Sequence, residues 1–431
     1  MFKPTIPHLA AGLAAAAALL AAGPAQASDD QHVAMSPDGR AHYAFKLHAN
    51  GVLQVHERQI DTSGALGDAQ SVSWAFRPAI SQHVGVDDAG NAVIAWTSSD
   101  GPDLQPAYIR RRTSDGALSA TQKLTPQGVT AQEMELAVEP DGDAIAVWSR
   151  GLDGKHVVQA RRRAADGTLG PLQTLSATTR FSYGPQVAVA PDGTATVVWK
   201  RADPDEHFVQ ARTIAPDNSL STVQRLSGDV GSAYGLWVTV SDTGTAVAGW
   251  NRSLAAGGHA IESRARSATG ALGAVQTIAG PDDFTSSGDQ AGNGAGRVVY
   301  SWRKQLPDST SVVKGRVRQP NGTLGPIFEV SDGQGTEPKV AIDPDGVATF
   351  VWTVPASTRV IQLRRRDPNG QMGSLRTVSD PARDASGPHV AVDPAGRAAV
   401  SWYAPGATMG ARTVAYGGAM SPVHLLGPAA L

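Results

Sequence analysis

The chain contains no cysteine among its 431 residues. Disulfides, lipid-modified cysteines, thiol nucleophiles and thiolate metal sites are therefore excluded, and stability has to come from packing. Aromatic residues make up only 6% of the chain, and the net charge is only −2, without any long run of one sign. This charge balance gives no reason to expect nucleic acid or a membrane surface as a partner.

Long apolar runs are absent except at the N-terminus. Residues 9–22 are apolar, Lys3 precedes them, and the small-residue motif Ala25, Gln26, Ala27 follows them. This pattern predicts a signal peptide over residues 1–27, a mature protein over 28–431, and a secreted or periplasmic location. Because no later segment is long and apolar enough, we expect no membrane span after signal cleavage.

A repeat of about fifty-one residues fills the rest of the chain. In eight places a glycine stands six residues before an aromatic residue, and successive aromatic residues are 51, 52, 51, 51, 52, 50 and 50 positions apart. These pairs are Gly39/Phe45, Gly90/Trp96, Gly142/Trp148, Gly193/Trp199, Gly244/Trp250, Gly296/Trp302, Gly346/Trp352 and Gly396/Trp402. Such a fixed period predicts a repeat architecture.

Each repeat divides into four short segments rich in valine, threonine and isoleucine. Residues 186–190 and 194–200 flank a Pro-Asp-Gly turn, while 157–163 and 172–176 illustrate the third and fourth segments. Four strands per repeat are typical of a propeller blade. The sequence therefore predicts an all-β fold, a single eight-bladed β-propeller with four antiparallel strands per blade. Whether the first and last blades share a strand stays open.

A second landmark is an arginine eight residues before a leucine or methionine in every repeat. The eight arginines are Arg58, Arg110, Arg161, Arg212, Arg264, Arg316, Arg364 and Arg412. A residue present in every blade most simply serves the blade, with its head bonded to turn carbonyls or a turn aspartate. An eightfold ring of ligand-binding arginines is the alternative.

The segment Val-Ala-Ile-Asp-Pro-Asp-Gly-Val-Ala at 340–348 resembles the opening hairpin of an NHL-type blade. The whole repeat is similar to that of secreted bacterial propeller repeat proteins. The resemblance implies a fold but no activity, cofactor or catalytic residue. The tryptophan that closes the second strand and the recurring arginine depart from the NHL pattern, so NHL-type partners are not carried over.

Residues that break the eightfold repetition are the candidates for function. We consider those on the face that carries the loops into the first strands and the loops between the second and third strands. We call it the top face. Seven residues before each turn glycine, the repeats carry His32, His83, Glu135, Gln186, Trp237, Asp289, Lys339 and His389. The three histidines belong to neighbouring repeats once the ring closes, so His32, His83 and His389 are candidate metal ligands. A solvated polar channel mouth is the alternative.

Two further features of the top face are candidates for ligand binding. A basic arc is formed by Arg150, Arg201, Arg252 and Lys304, two residues after the tryptophan in repeats three to six. Loop aromatic residues comprise Trp74, Phe76, Phe181, Tyr183, Tyr234, Trp237 and Phe284. Cations suit an acidic glycan or partner, and exposed aromatic rings suit sugars or proteins. Solvated loop charge and gap-filling between blades are the corresponding structural explanations.

No catalytic motif is present, and the repeat length varies by only two residues, which leaves no inserted loop for a lid. We therefore expect a secreted, non-catalytic binding module for an extracellular or envelope glycan or protein, monomeric and without a cofactor. A glycan-active hydrolase or lyase is the first alternative, with top-face carboxylates such as Asp203, Asp205, Glu206, Asp282 and Asp283. A structural or envelope-assembly protein is the second.

Overall fold

Each repeat folds into one sheet of four antiparallel strands in the order of the chain, and eight such sheets form an all-β propeller ring. This computed structural model describes residues 32–427 except 50, 102–103, 153, 204–206, 229–230, 255–256, 282, 284–285 and 406–407. The predicted signal peptide, residues 1–27, lies outside the described residues. Within the described part there is no helix that would cross a membrane.

The first four blades contain strands β1 to β16. Their bounds are β1 His32–Met35, β2 Ala41–Ala49, β3 Val52–Ile60 and β4 Gln70–Ser71; β5 Ala79–Val86, β6 Ala92–Ser98, β7 Ala107–Arg112 and β8 Gln122–Lys123; β9 Ala131–Val138, β10 Ala144–Leu152, β11 Lys155–Arg163 and β12 Gln173–Thr174; and β13 Phe181–Val189, β14 Ala195–Ala202, β15 His207–Ile214 and β16 Gln224–Arg225.

The last four blades contain strands β17 to β32. Their bounds are β17 Ser232–Val240, β18 Ala246–Ser253, β19 His259–Arg266 and β20 Gln276–Ala279; β21 Ser286–Gly292, β22 Val298–Gln305, β23 Ser311–Arg318 and β24 Phe328–Glu329; β25 Thr336–Ile342, β26 Ala348–Val354, β27 Val360–Arg366 and β28 Arg376–Thr377; and β29 Ser386–Val392, β30 Ala398–Ala404, β31 Thr408–Val414 and β32 His424–Leu425.

The recurring glycine makes the turn between the first two strands of each blade. In the fourth blade, Gly193 has φ +79°, and its N–H donates to the carbonyl of Ala190 at 2.9 Å. A positive φ is strained for residues with a Cβ, which explains why glycine occupies this position in all eight repeats.

The recurring aromatic residue anchors the core. All seven of these tryptophans and Phe45 are buried, and each packs among aliphatic residues of its own and an adjacent blade. Stacking therefore buries the faces that a single blade would leave exposed.

The recurring arginine joins neighbouring blades. Arg161 Nε donates to the carbonyl of Gly170 in its own blade at 2.9 Å. Its Nη1 donates to the carbonyl of Leu124 in the preceding blade at 3.1 Å. The same two-carbonyl pattern recurs at Arg110, Arg212, Arg264, Arg316, Arg364 and Arg412. The structural interpretation of this arginine is therefore confirmed for these seven blades.

The ring closes between complete blades. Strands β1–β4 form one sheet and β29–β32 another, so the first and last blades share no strand. Tyr43 and Phe45 of the first blade pack with Met409 and Leu426 of the last. In addition, His424 donates a hydrogen bond to the carbonyl of Gly64 at 2.9 Å.

The predicted strand bounds differ from the observed ones at the inner and the outer strand of a blade. The inner strand of the fourth blade is predicted over 186–190 but is observed over Phe181–Val189. It is longer at its top-face end and contains a bulge between Tyr183 and Gln186. The outer strand of the third blade, predicted over 172–176, covers only Gln173–Thr174. Bulged inner strands place additional side chains at the mouth of the central channel.

Candidate functional site

The inner strands bring together, around one cavity, the eight residues that stand seven positions before the turn glycines, and we call these the ring residues. This channel-mouth cavity has a volume of about 690 Å³ on the top face, and its lining contains all eight residues at the position seven before the turn glycine. They are His32, His83, Glu135, Gln186, Trp237, Asp289, Lys339 and His389. All eight residues line one cavity because they occupy equivalent positions on the eight inner strands.

The three histidines lie side by side at this mouth. The ring centroids of His32 and His83 are 4.1 Å apart, and those of His32 and His389 are 5.8 Å apart. Burial holds the pKa of His83 and of His389 well below the ordinary value, and neighbouring imidazoles, with Lys339 beside His389, lower both further. Both rings are therefore neutral at pH 7.

A polar chain continues from these imidazoles around the mouth. His83 Nδ1 lies 3.6 Å from Glu135 Oε2, and Gln186 Nε2 donates to Glu135 Oε1 at 3.0 Å. Glu133, two residues before Glu135 on the same bulged strand, accepts a hydrogen bond from the N–H of Gly184 in the next blade at 2.8 Å. This link between blades has an equivalent from Glu337 to Gly387, also 2.8 Å. The sequence reasoning missed both glutamates, although each stands two residues before the ring position.

Trp237 takes part in packing as well as in the lining. Its ring lies against Gly288 of the next blade and Gly249 of its own, where an added Cβ would come within 2.8 Å and 3.2 Å of the indole. Gly249 replaces the larger residues found immediately before the tryptophan in other blades, such as Val147 and Val198. Trp237 therefore fills a gap between blades and presents only part of its surface to the cavity.

The residues of the basic arc largely have partners within the chain. Arg201 Nη2 lies 3.3 Å from Asp203 Oδ1, Arg252 Nη1 lies 2.7 Å from Glu262 Oε1, and Lys304 Nζ lies 3.1 Å from Asp283 Oδ1. For Arg150, no ion pair falls within the described residues. Charges that are already paired attract an anion less strongly, so the arc is a weaker candidate than its sequence indicates.

The aromatic residues Tyr183 and Tyr234 lie beside histidines on the top face. The Tyr183 ring centroid is 4.9 Å from that of His156, while the Tyr234 hydroxyl is 3.0 Å from His259 Nδ1. Burial raises the pKa of both phenols, and for Tyr183 the charge of Glu133 adds to the rise. Both hydroxyls therefore remain protonated hydrogen-bonding groups at neutral pH. Phe284 lies outside the described residues.

A second cavity of the top face, of about 560 Å³, is built around Trp74 and Phe76. We call it the aromatic pocket. The Phe76 ring is 69% exposed and stacks beside Trp74 with a centroid distance of 6.2 Å. The Arg77 guanidinium lies 5.3 Å and 5.7 Å from the centroids of these two rings. Cation–π contacts hold the guanidinium next to the aromatic surface.

Polar groups complete the aromatic pocket. Arg77 Nη1 donates to the Tyr108 hydroxyl at 2.9 Å and lies 3.2 Å from Asp100 Oδ2. Burial, only partly opposed by Arg77, raises the pKa of Tyr108, so its hydroxyl stays protonated. Lys123 and Gln127 also line the pocket. Sequence reasoning identified Trp74 and Phe76 but not Arg77, although this cation stands next to Phe76 in the chain.

Two of the carboxylates considered for catalysis, Asp203 and Asp283, are among the described residues. Asp203 lies near Arg180 and Arg201, at 3.8 Å and 3.3 Å, and Asp283 lies between Lys304 and Lys314, at 3.1 Å and 3.6 Å. The other candidates, Asp205, Glu206 and Asp282, lie outside the described residues. Hydrogen bonds from these lysines and their charges hold the pKa of Asp283 below its usual value despite partial burial, so it is ionised at neutral pH and unsuited as a proton donor.

A compact acidic group lies on the opposite face, in the turn of the third blade. Oxygen atoms of Glu139, Asp141 and Asp143 lie within 4.8 Å of one another. Glu139 pairs with Arg162, and Asp143 accepts a hydrogen bond from the N–H of Ala165 at 2.8 Å. These contacts account for the carboxylates as parts of the turn, and we assign no ion to them.

No protein-family model and no curated protein sequence matches the chain. Among solved structures, it is similar to a lectin from Burkholderia pseudomallei, with a TM-score of 0.56 and 10% identity over 81% of this chain and 99% of the lectin. It is also similar to the polysaccharide lyase Uly1, with a TM-score of 0.50 and 11% identity over 79% of this chain and 91% of the lyase. A eukaryotic initiation factor gives a TM-score of 0.50 and 11% identity over 91% of this chain and 87% of that protein. At these identities the likeness shows the propeller fold, and function has to be argued from the site.

Proposed function

We propose that this chain is a non-catalytic carbohydrate-binding propeller, and that the aromatic pocket formed by Trp74, Phe76, Arg77, Asp100 and Tyr108 is its binding site. The observation that carries the proposal is the exposed Phe76 ring, held beside Trp74 and a fixed guanidinium. Phe76 and Trp74 form a contiguous aromatic surface on the top face, and such a surface marks a binding site more often than a single exposed residue does.

The chemistry of the pocket matches that of a sugar. A pyranose has an apolar face of C–H groups, which packs on an aromatic ring, and hydroxyls at its edge, which need directed donors and acceptors. Phe76 offers the ring, Asp100 offers acceptor oxygens, and Arg77 and Lys123 offer donors. Because Arg77 is already fixed by Asp100 and Tyr108, little side-chain entropy is lost when a ligand binds.

The structural neighbours support carbohydrate as the ligand class. A lectin and a polysaccharide lyase share this fold with the chain. Binding without cleavage is favoured because Asp203 and Asp283 are paired with cations. The hydrolase or lyase alternative keeps Asp205, Glu206 and Asp282 as its candidate residues, and we propose export of the protein on the basis of its N-terminal segment.

The proposal is tested by screening the purified protein on an array of neutral and acidic glycans, with reducing-end and unsaturated-product assays for cleavage. For the best ligand, Phe76→Ala should weaken affinity about tenfold or more, which corresponds to about 1.4 kcal/mol. The control is Tyr416→Ala, which removes a 57% exposed aromatic ring from the opposite face. It should leave affinity unchanged.

Other outcomes point elsewhere. Binding that survives Phe76→Ala but is lost in the Arg150/Arg201/Arg252 triple variant would move the site to the basic arc. Product formation would establish the enzyme alternative. A blank array, followed by capture of an envelope protein that depends on Phe76, would replace carbohydrate by protein as the ligand.

A further inference from the structure

The channel mouth contains an arrangement of side chains that packing alone does not require. His32, His83 and His389 occupy the same position on the inner strands β1, β5 and β29 of three consecutive blades. The corresponding residues in the other five blades are not histidine. Three imidazoles are thus placed next to one another by the ring symmetry, and all three face one cavity.

The state of these rings suits a metal ligand. His83 is only 8% exposed, and its side chain lines the same cavity as those of His32 and His389. A ring nitrogen of each imidazole can donate a lone pair to a metal ion at this cavity. The sequence offers no thiolate, and imidazole nitrogen is a ligand favoured by zinc, nickel and copper.

We propose that His32, His83 and His389 bind one divalent transition-metal ion, zinc in the first instance, at the mouth of the central channel. Zinc binds imidazole nitrogens at about 2.0–2.1 Å in tetrahedral sites, which places neighbouring ring centroids roughly 5 Å apart. The observed separations of 4.1 Å and 5.8 Å lie on either side of that value. The ring nitrogens of the three histidines do not all lie within 4.8 Å of one another in the structure, so the side chains have to rotate towards one another to form the site.

Charged neighbours affect the affinity in opposite directions. Glu135, 3.6 Å from His83 and held by Gln186, can accept a hydrogen bond from the imidazole N–H that does not face the ion. Such a carboxylate orients the ring and raises its basicity. Lys339 lines the same cavity as the three histidines, and its positive charge opposes binding of a dication. Lys339→Met should accordingly tighten binding.

Isothermal titration calorimetry with zinc chloride tests the proposal directly. The protein is purified without a polyhistidine tag, stripped with chelator and dialysed, because a tag would itself bind zinc. We expect one zinc ion per chain. His83→Asn and His389→Asn should each weaken binding at least about tenfold, since even the loss of a residue that only orients a ligand costs 10–100-fold. The control His48→Asn removes an exposed histidine of β2 and should change nothing.

A second readout distinguishes the loss of the metal site from a folding defect. Cobalt bound to the unmutated protein should show the visible absorption of a tetrahedral nitrogen site, and zinc should abolish it. Phe76→Ala should bind zinc normally, which separates this proposal from the carbohydrate proposal. Absence of binding by the unmutated protein, or zinc binding by a folded His83→Asn variant equal to that of the unmutated protein, would overturn the assignment.

Discussion

The recurring arginine provides a test of whether repetition in this chain serves structure. Arg212 Nε donates to the carbonyl of Ser221 in its own blade at 2.6 Å, and its Nη1 donates to the carbonyl of Leu175 before the blade at 3.2 Å. Replacing Arg212 with alanine removes both bonds and with them one connection between the third and fourth blades.

The cost of Arg212→Ala can be worked from these contacts. A hydrogen bond with a charged partner contributes about 1.5–3 kcal/mol, and partial exposure of Arg212 reduces each bond to about 1 kcal/mol. We therefore expect a loss of about 2 kcal/mol in the free energy of unfolding. With an unfolding entropy of about 2.1 cal/mol/K per residue over roughly 400 residues, the melting temperature should fall by about 2–3 °C.

Thermal unfolding followed by circular dichroism at several scan rates measures this change. Arg212→Lys keeps the charge but not the planar fork, so its melting temperature should lie between those of the alanine variant and the unmutated protein. Arg383→Ala is the control, because this side chain is 64% exposed and pairs only loosely with Asp380, at 3.9 Å. If Arg212→Ala kept its melting temperature but lost glycan affinity, the arginines would be a ligand ring and our reasoning would be refuted.

Three other predictions concern stability. Trp199→Ala should cost about 3–5 kcal/mol, read as a fall of the melting temperature by about 4–6 °C, because the indole is fully buried; a change below 1 °C would contradict a core role. His424→Ala should cost about 1 kcal/mol in urea unfolding through the lost bond to Gly64, and no change would show that this bond does not hold the ring closed. The hydrogen bonds from Arg359 lower the pKa of Asp384 in the folded protein, so they stabilise the fold above the carboxyl pKa of the unfolded chain, and this stabilisation is lost as pH falls through the pKa of the folded protein. Asp384→Asn should therefore lower the free energy of unfolding at pH 7 but not near pH 2. An equal effect at both pH values would exclude an ionic origin.

The architecture was predictable because it depends on features repeated eight times. A glycine at positive φ and a buried aromatic residue recur in every blade, and each is required by the hairpin or by the core. The convergence of the ring residues was predictable for the same reason, since equivalent positions on inner strands meet at the axis. Because the repeats are equivalent, a fixed spacing along the sequence predicts which residues are neighbours in the fold.

The pairing of the basic arc was not predictable from spacing. Glu262, the partner of Arg252, lies on the neighbouring strand β19, and Asp283, the partner of Lys304, lies in the loop that leads into β21. Finding these partners requires the strand register and the path of the loops, which a repeat alignment does not give. The role of Arg77 was missed for a related reason, because its contact with Tyr108 depends on how the loop before β5 folds over β7.

The most direct test of the central claim is a crystal structure of the protein with its best oligosaccharide from the array. We predict a sugar ring against the exposed face of Phe76, with hydroxyls hydrogen-bonded to Asp100 and Arg77. A sugar bound at the channel mouth, on the basic arc or on the face that carries Tyr416, with the aromatic pocket free of ligand, would contradict the assignment.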